Sequence, residues 1–194
     1  DYKKYCYEKA KEIVENKGNY LIRPTFNLPQ SHLLKYLKFP VNVSKNDINE
    51  EVDVVIAPRM REWCSHRNIP RDFWIELVEK LKELNYIVAV GGAKESSFDI
   101  PNADLYSWDY NNETFGSAAL LRKCNLLICT NSGMGHLAAN MDVSMLMINN
   151  GYPAMHEFIK NGTNAFYKIV PKDVNKITED VCSLLGKKKK RDLE

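Results

Sequence analysis

The chain has 194 residues, a formal net charge of +2 and a hydrophobic fraction of 44%. This length is enough for one sizeable core, and the near-neutral charge gives no reason to expect a nucleic acid or another polyanion as a partner. No apolar run approaches the roughly 18 residues that a membrane span needs, so the composition is typical of a soluble globular protein.

The cysteine content does not indicate a disulfide framework or a metal centre. The chain contains five cysteines, an odd number, and no Cys-x-x-Cys pair. No spacing of cysteine and histidine matches a zinc site, so we predict that the protein binds no metal. Reduced, buried thiols in a cytoplasmic protein fit this pattern, and a peripheral place at the inner face of a membrane stays open.

The chain divides into three parts by composition. Residues 1–50 are broken by three prolines, and we interpret them as the end of a preceding domain and a linker. Residues 51–186 are predicted to form one domain. Residues 187–194 begin with a run of lysine and arginine, which predicts a basic, disordered tail. Because the chain begins with Asp1 rather than Met, we expect it to be a fragment of a longer protein.

Strands and helices alternate along residues 51–186. The predicted strands are short apolar runs at Val52–Ala57, Tyr86–Val90, Leu105–Ser107, Leu126–Cys129 and Ser144–Ile148, the last strand of the sheet. The predicted helices are amphipathic or small-residue segments at Pro70–Leu84, Thr114–Lys123, His136–Met141 and Asp173–Gly186.

Near-continuous apolar strands that alternate with helices indicate an α/β protein with a Rossmann-like parallel sheet flanked by helices on both faces. Ligands bind such sheets at the carboxyl ends of the strands. The loops after Ala57, Val90 and Cys129 are therefore expected to lie along one edge of the sheet.

The most informative segment is Thr130–Ala139, with the sequence TNSGMGHLAA, between a predicted strand and a predicted helix. A glycine-rich turn that feeds a helix presents backbone N–H groups at the positive end of the helix dipole, which suits a phosphate or carboxylate. We expect Ser132, Gly133, Met134 and Gly135 to supply these N–H donors. His136 is expected to face a phosphate from the first helical turn.

Two other loops at the same edge carry charged candidates. Arg59, Arg61 and Arg67 lie in the loop after the first strand, and an arginine fork pairs well with phosphate oxygens. Glu95 follows Gly91 and Gly92, where a carboxylate could accept hydrogen bonds from ribose hydroxyls.

Three segments, in this order and spacing, resemble the carboxyl-terminal, donor-binding domain of bacterial heptosyltransferases and related glycosyltransferase family 9-like GT-B enzymes. They are VVIAP at Val54–Pro58 followed by a basic loop and PRDFW at Pro70–Trp74, then YIVAVGGAKE at Tyr86–Glu95, and finally TNSGMGHLAA at Thr130–Ala139. The third segment is similar to the family motif Asp-Ser/Thr-Gly-x-x-His-Leu-Ala, which cradles the donor diphosphate.

The resemblance implies that residues 51–186 form a nucleotide-sugar-binding domain, one half of a GT-B fold. In the full-length protein it implies transfer of a sugar from a nucleotide diphosphate sugar to a glycan or lipid-linked acceptor. It implies no metal, and no cofactor apart from the nucleotide sugar itself. The implied partners are this donor, the acceptor and an amino-terminal acceptor domain of the same protein.

Asn131 occupies the place of the aspartate in the family motif, so a neutral amide replaces a carboxylate at the implied donor site. The proposed catalytic base of the family lies in the amino-terminal domain, so no residue of this chain is nominated as the base. We therefore expect no efficient sugar transfer from the chain by itself.

Two alternatives stay open at this point. One is a non-catalytic module of the same fold that binds a nucleotide or a glycan. The other is a sugar-nucleotide epimerase, which can share the GT-B architecture. A serine hydrolase is disfavoured, although Ser132 and His136 are four residues apart, because no Gly-x-Ser-x-Gly elbow surrounds the serine.

Overall fold

The computed structural model describes residues 48, 50–62, 65–110, 113–150 and 165–186. The predictions for the preceding domain, the linker and the basic tail lie outside these residues, apart from residues 48 and 50.

The core of the described chain is a six-stranded parallel sheet, as the alternation of strands and helices predicted. The strand order is β3-β2-β1-β4-β5-β6, and every neighbouring pair is parallel. The strands are β1 (Val52–Ala57), β2 (Val88–Val90), β3 (Leu105–Tyr106), β4 (Cys124–Cys129), β5 (Met145–Ile148) and β6 (Tyr167–Val170).

In the described residues, four α-helices cover the two faces of the sheet. They are α1 (Arg71–Glu83), α2 (Glu113–Lys123), α3 (Gly133–Asn140) and α4 (Val174–Leu185). Side chains of α1 and α4, such as Trp74 and Ile177, pack with Val54 on one face. Side chains of α2 and α3, such as Leu120 and Ala138, pack with Val55 on the other. Successive residues of β1 thus point to opposite cores, which explains its uninterrupted apolar sequence.

Two helix and strand predictions are wrong and need correction. Helix α3 begins at Gly133, three residues before the predicted start at His136. The strand at Met145–Ile148 is not the last one, because β6 follows it and pairs with it in parallel. Strand β6 is an edge strand whose first two residues are partly buried and whose third, Ile169, is exposed, so it lacks the apolar run that identifies the central strands.

The second predicted strand is shorter than expected. The turn after α1 places Asn85 in the left-handed region at φ 61°, and regular pairing of β2 begins only at Val88. Ile87 still bonds to the neighbouring strand β1, because its carbonyl accepts hydrogen bonds from the backbone N–H groups of Asp53 and Val54.

Strands β1 and β4 are hydrogen-bonded neighbours at the centre of the sheet. Strands β2 and β3 are added on one side of β1, and β4, β5 and β6 on the other, so the order of the strands reverses between β1 and β4. After β1 the chain passes to α1 on one face, whereas after β4 it passes to α3 on the other. The two loops therefore diverge at the carboxyl ends of these strands and leave a crevice, where ligands of open α/β sheets bind. In the described residues, no helix has the length and apolar character needed to cross a membrane.

Candidate functional site at the carboxyl ends of β1 and β4

The amino terminus of α3 lies at this crevice, directly after β4. Ser132 is the N-cap residue, with extended backbone at φ −152° and ψ 171°, and its hydroxyl makes no capping hydrogen bond. Its carbonyl accepts from the N–H groups of Gly135 and His136, at 3.1 and 3.4 Å. Among the described residues, the N–H groups of Gly133 and Met134 and the buried Ser132 hydroxyl have no hydrogen-bond partner. Three donors are thus available at the positive end of α3.

Gly133 faces open space at the start of this helix. A Cβ atom built on Gly133 meets no atom within 4 Å, and its φ is not in the left-handed region. The backbone conformation at this position therefore does not require glycine. Its missing side chain instead leaves the N–H groups of the first turn open to close approach by a ligand.

Met134 contributes a side chain as well as an N–H group to the site. A Cβ atom on Gly91, at the end of β2, would lie 2.7 Å from Met134 Cε. The methionine side chain therefore packs against the backbone of Gly91 and connects α3 with the end of β2. The next residue, Gly92, has φ 124°, a conformation that favours glycine.

The residues between β4 and α3 are buried. Thr130 is fully buried and Asn131 is 4% exposed. Burial of an ionised carboxylate at this position would carry a large desolvation cost, which the neutral Asn131 amide avoids. The neutral Asn131 amide thus suits its buried position.

The basic loop after β1 is organised around Asn68, a residue that the sequence did not single out. Its Oδ1 accepts from Arg59 Nη1 at 2.6 Å and from the Arg61 backbone N–H at 3.3 Å. Its Nδ2 donates to the Arg61 carbonyl at 2.8 Å. Arg59 is 6% exposed, so it belongs to the interior of this loop, whereas Arg61 is exposed.

Arg67 ends a short 3-10 turn in the same loop, and its carbonyl accepts from Asn150 Nδ2 at 2.8 Å. Asn150 follows β5, so this contact fastens the loop to the next strand end along the sheet edge. The position of Asn150 just after a strand is the only sequence signal that could have identified it.

His136 lies in the first turn of α3 and is electrostatically linked to the basic loop. Burial, followed by the positive charge of Arg67, lowers the pKa of His136 to about 4 from 6.5. The imidazole is therefore neutral near pH 7. The placement of Arg67 agrees with this effect, because its carbonyl bonds Asn150 after β5, and because β4, which leads into α3, lies between β1 and β5.

Glu95 also lies at the carboxyl ends of the strands, but it follows β2, one strand farther from the crevice. It is exposed in the 3-10 turn Lys94–Ser96 that follows β2. This turn is joined to the basic loop, because the Met60 N–H donates to the Ser96 carbonyl at 2.9 Å. The loops after β1, β2 and β4 thus lie together at the carboxyl ends of the strands, as predicted for a parallel sheet.

The described thiols and acids offer no second reactive centre at this edge. Burial raises the pKa of the Cys129 thiol to about 12, so it stays protonated. In the part of the chain that the structure describes, no three His, Cys, Asp or Glu side chains are grouped to hold a metal ion.

No protein-family model and no curated protein matches the chain. Solved structures do match. The Escherichia coli ADP-heptose lps heptosyltransferase II is similar with a TM-score of 0.55 at 13% sequence identity, over 71% of this chain and 47% of that one. The E. coli heptosyltransferase WaaC with ADP-2-deoxy-2-fluoro heptose gives a TM-score of 0.50 at 12% identity, over 79% and 45%.

The matched region thus spans about half the length of each heptosyltransferase. The described strand order and the flanking helices fit this similarity. The chain therefore has the α/β Rossmann-like fold found in GT-B heptosyltransferases, in agreement with the resemblance seen in its sequence.

Proposed function

We propose that the chain is the donor-binding domain of a glycosyltransferase and that the α3 terminus holds the diphosphate of a nucleotide diphosphate sugar. The observation that carries this proposal is the set of available donors at the α3 terminus: the N–H groups of Gly133 and Met134 and the buried Ser132 hydroxyl. A phosphate group accepts hydrogen bonds from such donors and is favoured by the helix dipole. The heptosyltransferase-like fold supports the assignment to a transferase.

The arrangement suits the chemistry of sugar transfer. Cleavage of the sugar–phosphate bond develops negative charge on the departing diphosphate. Fixed N–H groups and a nearby cation stabilise that charge more in the transition state than in the ground state. Of the three arginines, Arg67 fits the role of the cation best, since its carbonyl bonds Asn150 after β5 and the loop therefore passes the end of β4, where α3 begins.

The rest of the reaction is assigned to parts outside the described residues. We propose a glycan or lipid-linked acceptor, held by an amino-terminal domain of the same protein that also supplies the base. A cytoplasmic location, free or at the inner face of a membrane, and catalysis without a further cofactor belong to the same proposal. The buried Asn131 favours one second candidate, a module that binds the nucleotide sugar without turning it over, because the family carboxylate is missing.

Direct binding of nucleotides tests this function. We expect ADP, GDP or UDP to bind the chain weakly, with a dissociation constant on the order of 1 mM, since half of the two-domain cleft is absent from the matched region. Calorimetry or ligand-observed NMR would measure it. Adenosine, guanosine and uridine are the controls and should bind far less, because they lack the diphosphate. No binding of the three diphosphates at millimolar concentration would contradict the proposal.

A further inference from the structure

The side chain of Asn68 joins the two ends of the basic loop between β1 and α1. It accepts from Arg59 Nη1 and from the Arg61 N–H, and it donates to the Arg61 carbonyl. One amide thus uses both its donor and its acceptor to hold residues seven and nine positions away. Hydrogen bonds of this kind hold Arg59 and Arg61 against Asn68 in one arrangement.

The backbone at the carboxyl end of the loop is fixed as well. The Asn68 N–H donates to the Ser65 carbonyl at 2.8 Å, which closes the 3-10 turn. The Arg67 carbonyl is held by Asn150. Arg67 therefore lies between two anchors, its own carbonyl on the β5 side and the Asn68 amide on the β1 side.

Anchoring at these points matters because they place Arg67 across the end of β4, where α3 begins. The loop leaves β1, the Arg67 carbonyl bonds Asn150 after β5, and β4 lies between these two strands in the sheet. The positive charge of Arg67 also contributes to the low pKa of His136 in the first turn of α3. An amide is suited to hold such a loop. Asn68 accepts a hydrogen bond from the Arg59 guanidinium without adding a negative charge, whereas a carboxylate there would offset the positive potential that attracts phosphate.

We propose that Asn68 is a positioning residue for the donor diphosphate, which acts by holding Arg67 beside the amino terminus of α3. The inference rests on the proposed function, because it takes a diphosphate to be the ligand at that terminus. Asn68 itself need not touch the ligand.

The first test needs no ligand and uses the pKa of His136, measured by NMR on the whole chain and assigned with His136→Gln. Loss of the Arg67 charge in Arg67→Ala should raise this pKa above its value of about 4. Asn68→Ala should raise it as well, because Arg67 is no longer held in place. Asn125→Ala is the matched control at the exposed amino end of β4, and should leave it unchanged.

The second test is a double-mutant cycle read out by ADP affinity. Asn68→Ala should bind ADP about tenfold more weakly than the parent chain, the effect expected when a fixed charged contact is lost. In the Arg67→Ala background the same substitution should cost less than about threefold, because the residue through which Asn68 acts is gone. An equal loss in both backgrounds would indicate a merely structural role and overturn the proposal.

The outcomes separate this inference from the proposed function. A parent chain that binds none of the three nucleoside diphosphates would overturn both. A parent that binds ADP with an Asn68→Ala variant of equal affinity would overturn the positioning role alone. Should Asn68→Ala fail to fold, Asn68→Asp keeps the two accepted hydrogen bonds. It loses the bond to the Arg61 carbonyl, so the substitution should weaken ADP binding more in the parent than in the Arg67→Ala background, and an equal loss in both would contradict the proposal.

Discussion

Gly133→Val should abolish binding of nucleoside diphosphates while the fold of the chain stays intact. A Cβ atom at this position meets no atom within 4 Å, so the side chain starts in the open space in front of the first turn of α3. A diphosphate at the Gly133 and Met134 N–H groups needs that space. The expected loss is at least about tenfold in affinity, the effect of losing a charge-assisted hydrogen bond. Calorimetry with ADP, GDP and UDP would measure it, and circular dichroism would follow the fold.

The control places valine in the first turn of a different helix. Asn175→Val lies at an exposed position of α4, where the Asn175 side chain accepts from Lys80 of α1, and should leave nucleotide affinity unchanged. Backbone strain would not account for a loss of binding in Gly133→Val, because Gly133 has no left-handed φ. Equal affinity of Gly133→Val and the parent would place the ligand elsewhere.

The stability of the chain should fall as the pH drops from 6.5 towards 4, in part through His136. Its pKa is about 4 in the folded chain and 6.5 as a free side chain, so the unfolded chain binds the proton more readily between these values. The contribution of the neutral, buried imidazole is therefore complete above pH 6.5 and is lost as the pH approaches 4. The full difference corresponds to roughly 3 kcal/mol of unfolding free energy.

His136→Gln isolates this effect, since glutamine does not titrate. Urea unfolding of both proteins at several pH values between 4 and 7 gives the difference in unfolding free energy. This difference should move in favour of the variant as the pH falls. Parallel stability curves for the parent and the variant would show that His136 titrates in the folded chain as it does in the unfolded one.

The central strands could be predicted from the sequence because burial on both faces leaves a direct signature. Strand β1 has the predicted bounds, since its alternating side chains pack into two separate cores. Strand β6 could not be predicted in the same way. It lies at the sheet edge and includes Lys168, which bonds Asp180 of α4 instead of entering the core. Its place in the sheet depends on pairing with β5, a tertiary contact.

The start of helix α3 was predicted wrongly because the prediction relied on local residue preferences. Glycine is a poor helix former, so the pattern placed the helix start after Gly135. The structure begins the helix at Gly133, with Ser132 as the N-cap, because the carbonyl of Ser132 accepts the first helical N–H bonds. The two glycines are thus in the helical turn where a ligand would approach the backbone.

Part of the candidate site could be predicted from the sequence. The glycine-rich turn and the basic loop stand out by composition, and the parallel sheet predicts that both meet at one edge. The hydrogen bonds that hold the basic loop in place could not be predicted from the sequence. Asn150 holds the Arg67 carbonyl across 83 positions of the chain, and such a pairing leaves no local pattern.

The central claim is that the α3 terminus binds a diphosphate, and amide NMR on the labelled chain tests it most directly. We expect addition of ADP, GDP or UDP to shift the amide resonances of Gly133 and Met134 most strongly, since their N–H groups would donate to the phosphate oxygens. Smaller shifts should appear around Arg67. Shifts concentrated at the opposite edge of the sheet, around Asn125, or the absence of shifts with all three nucleotides would contradict the claim.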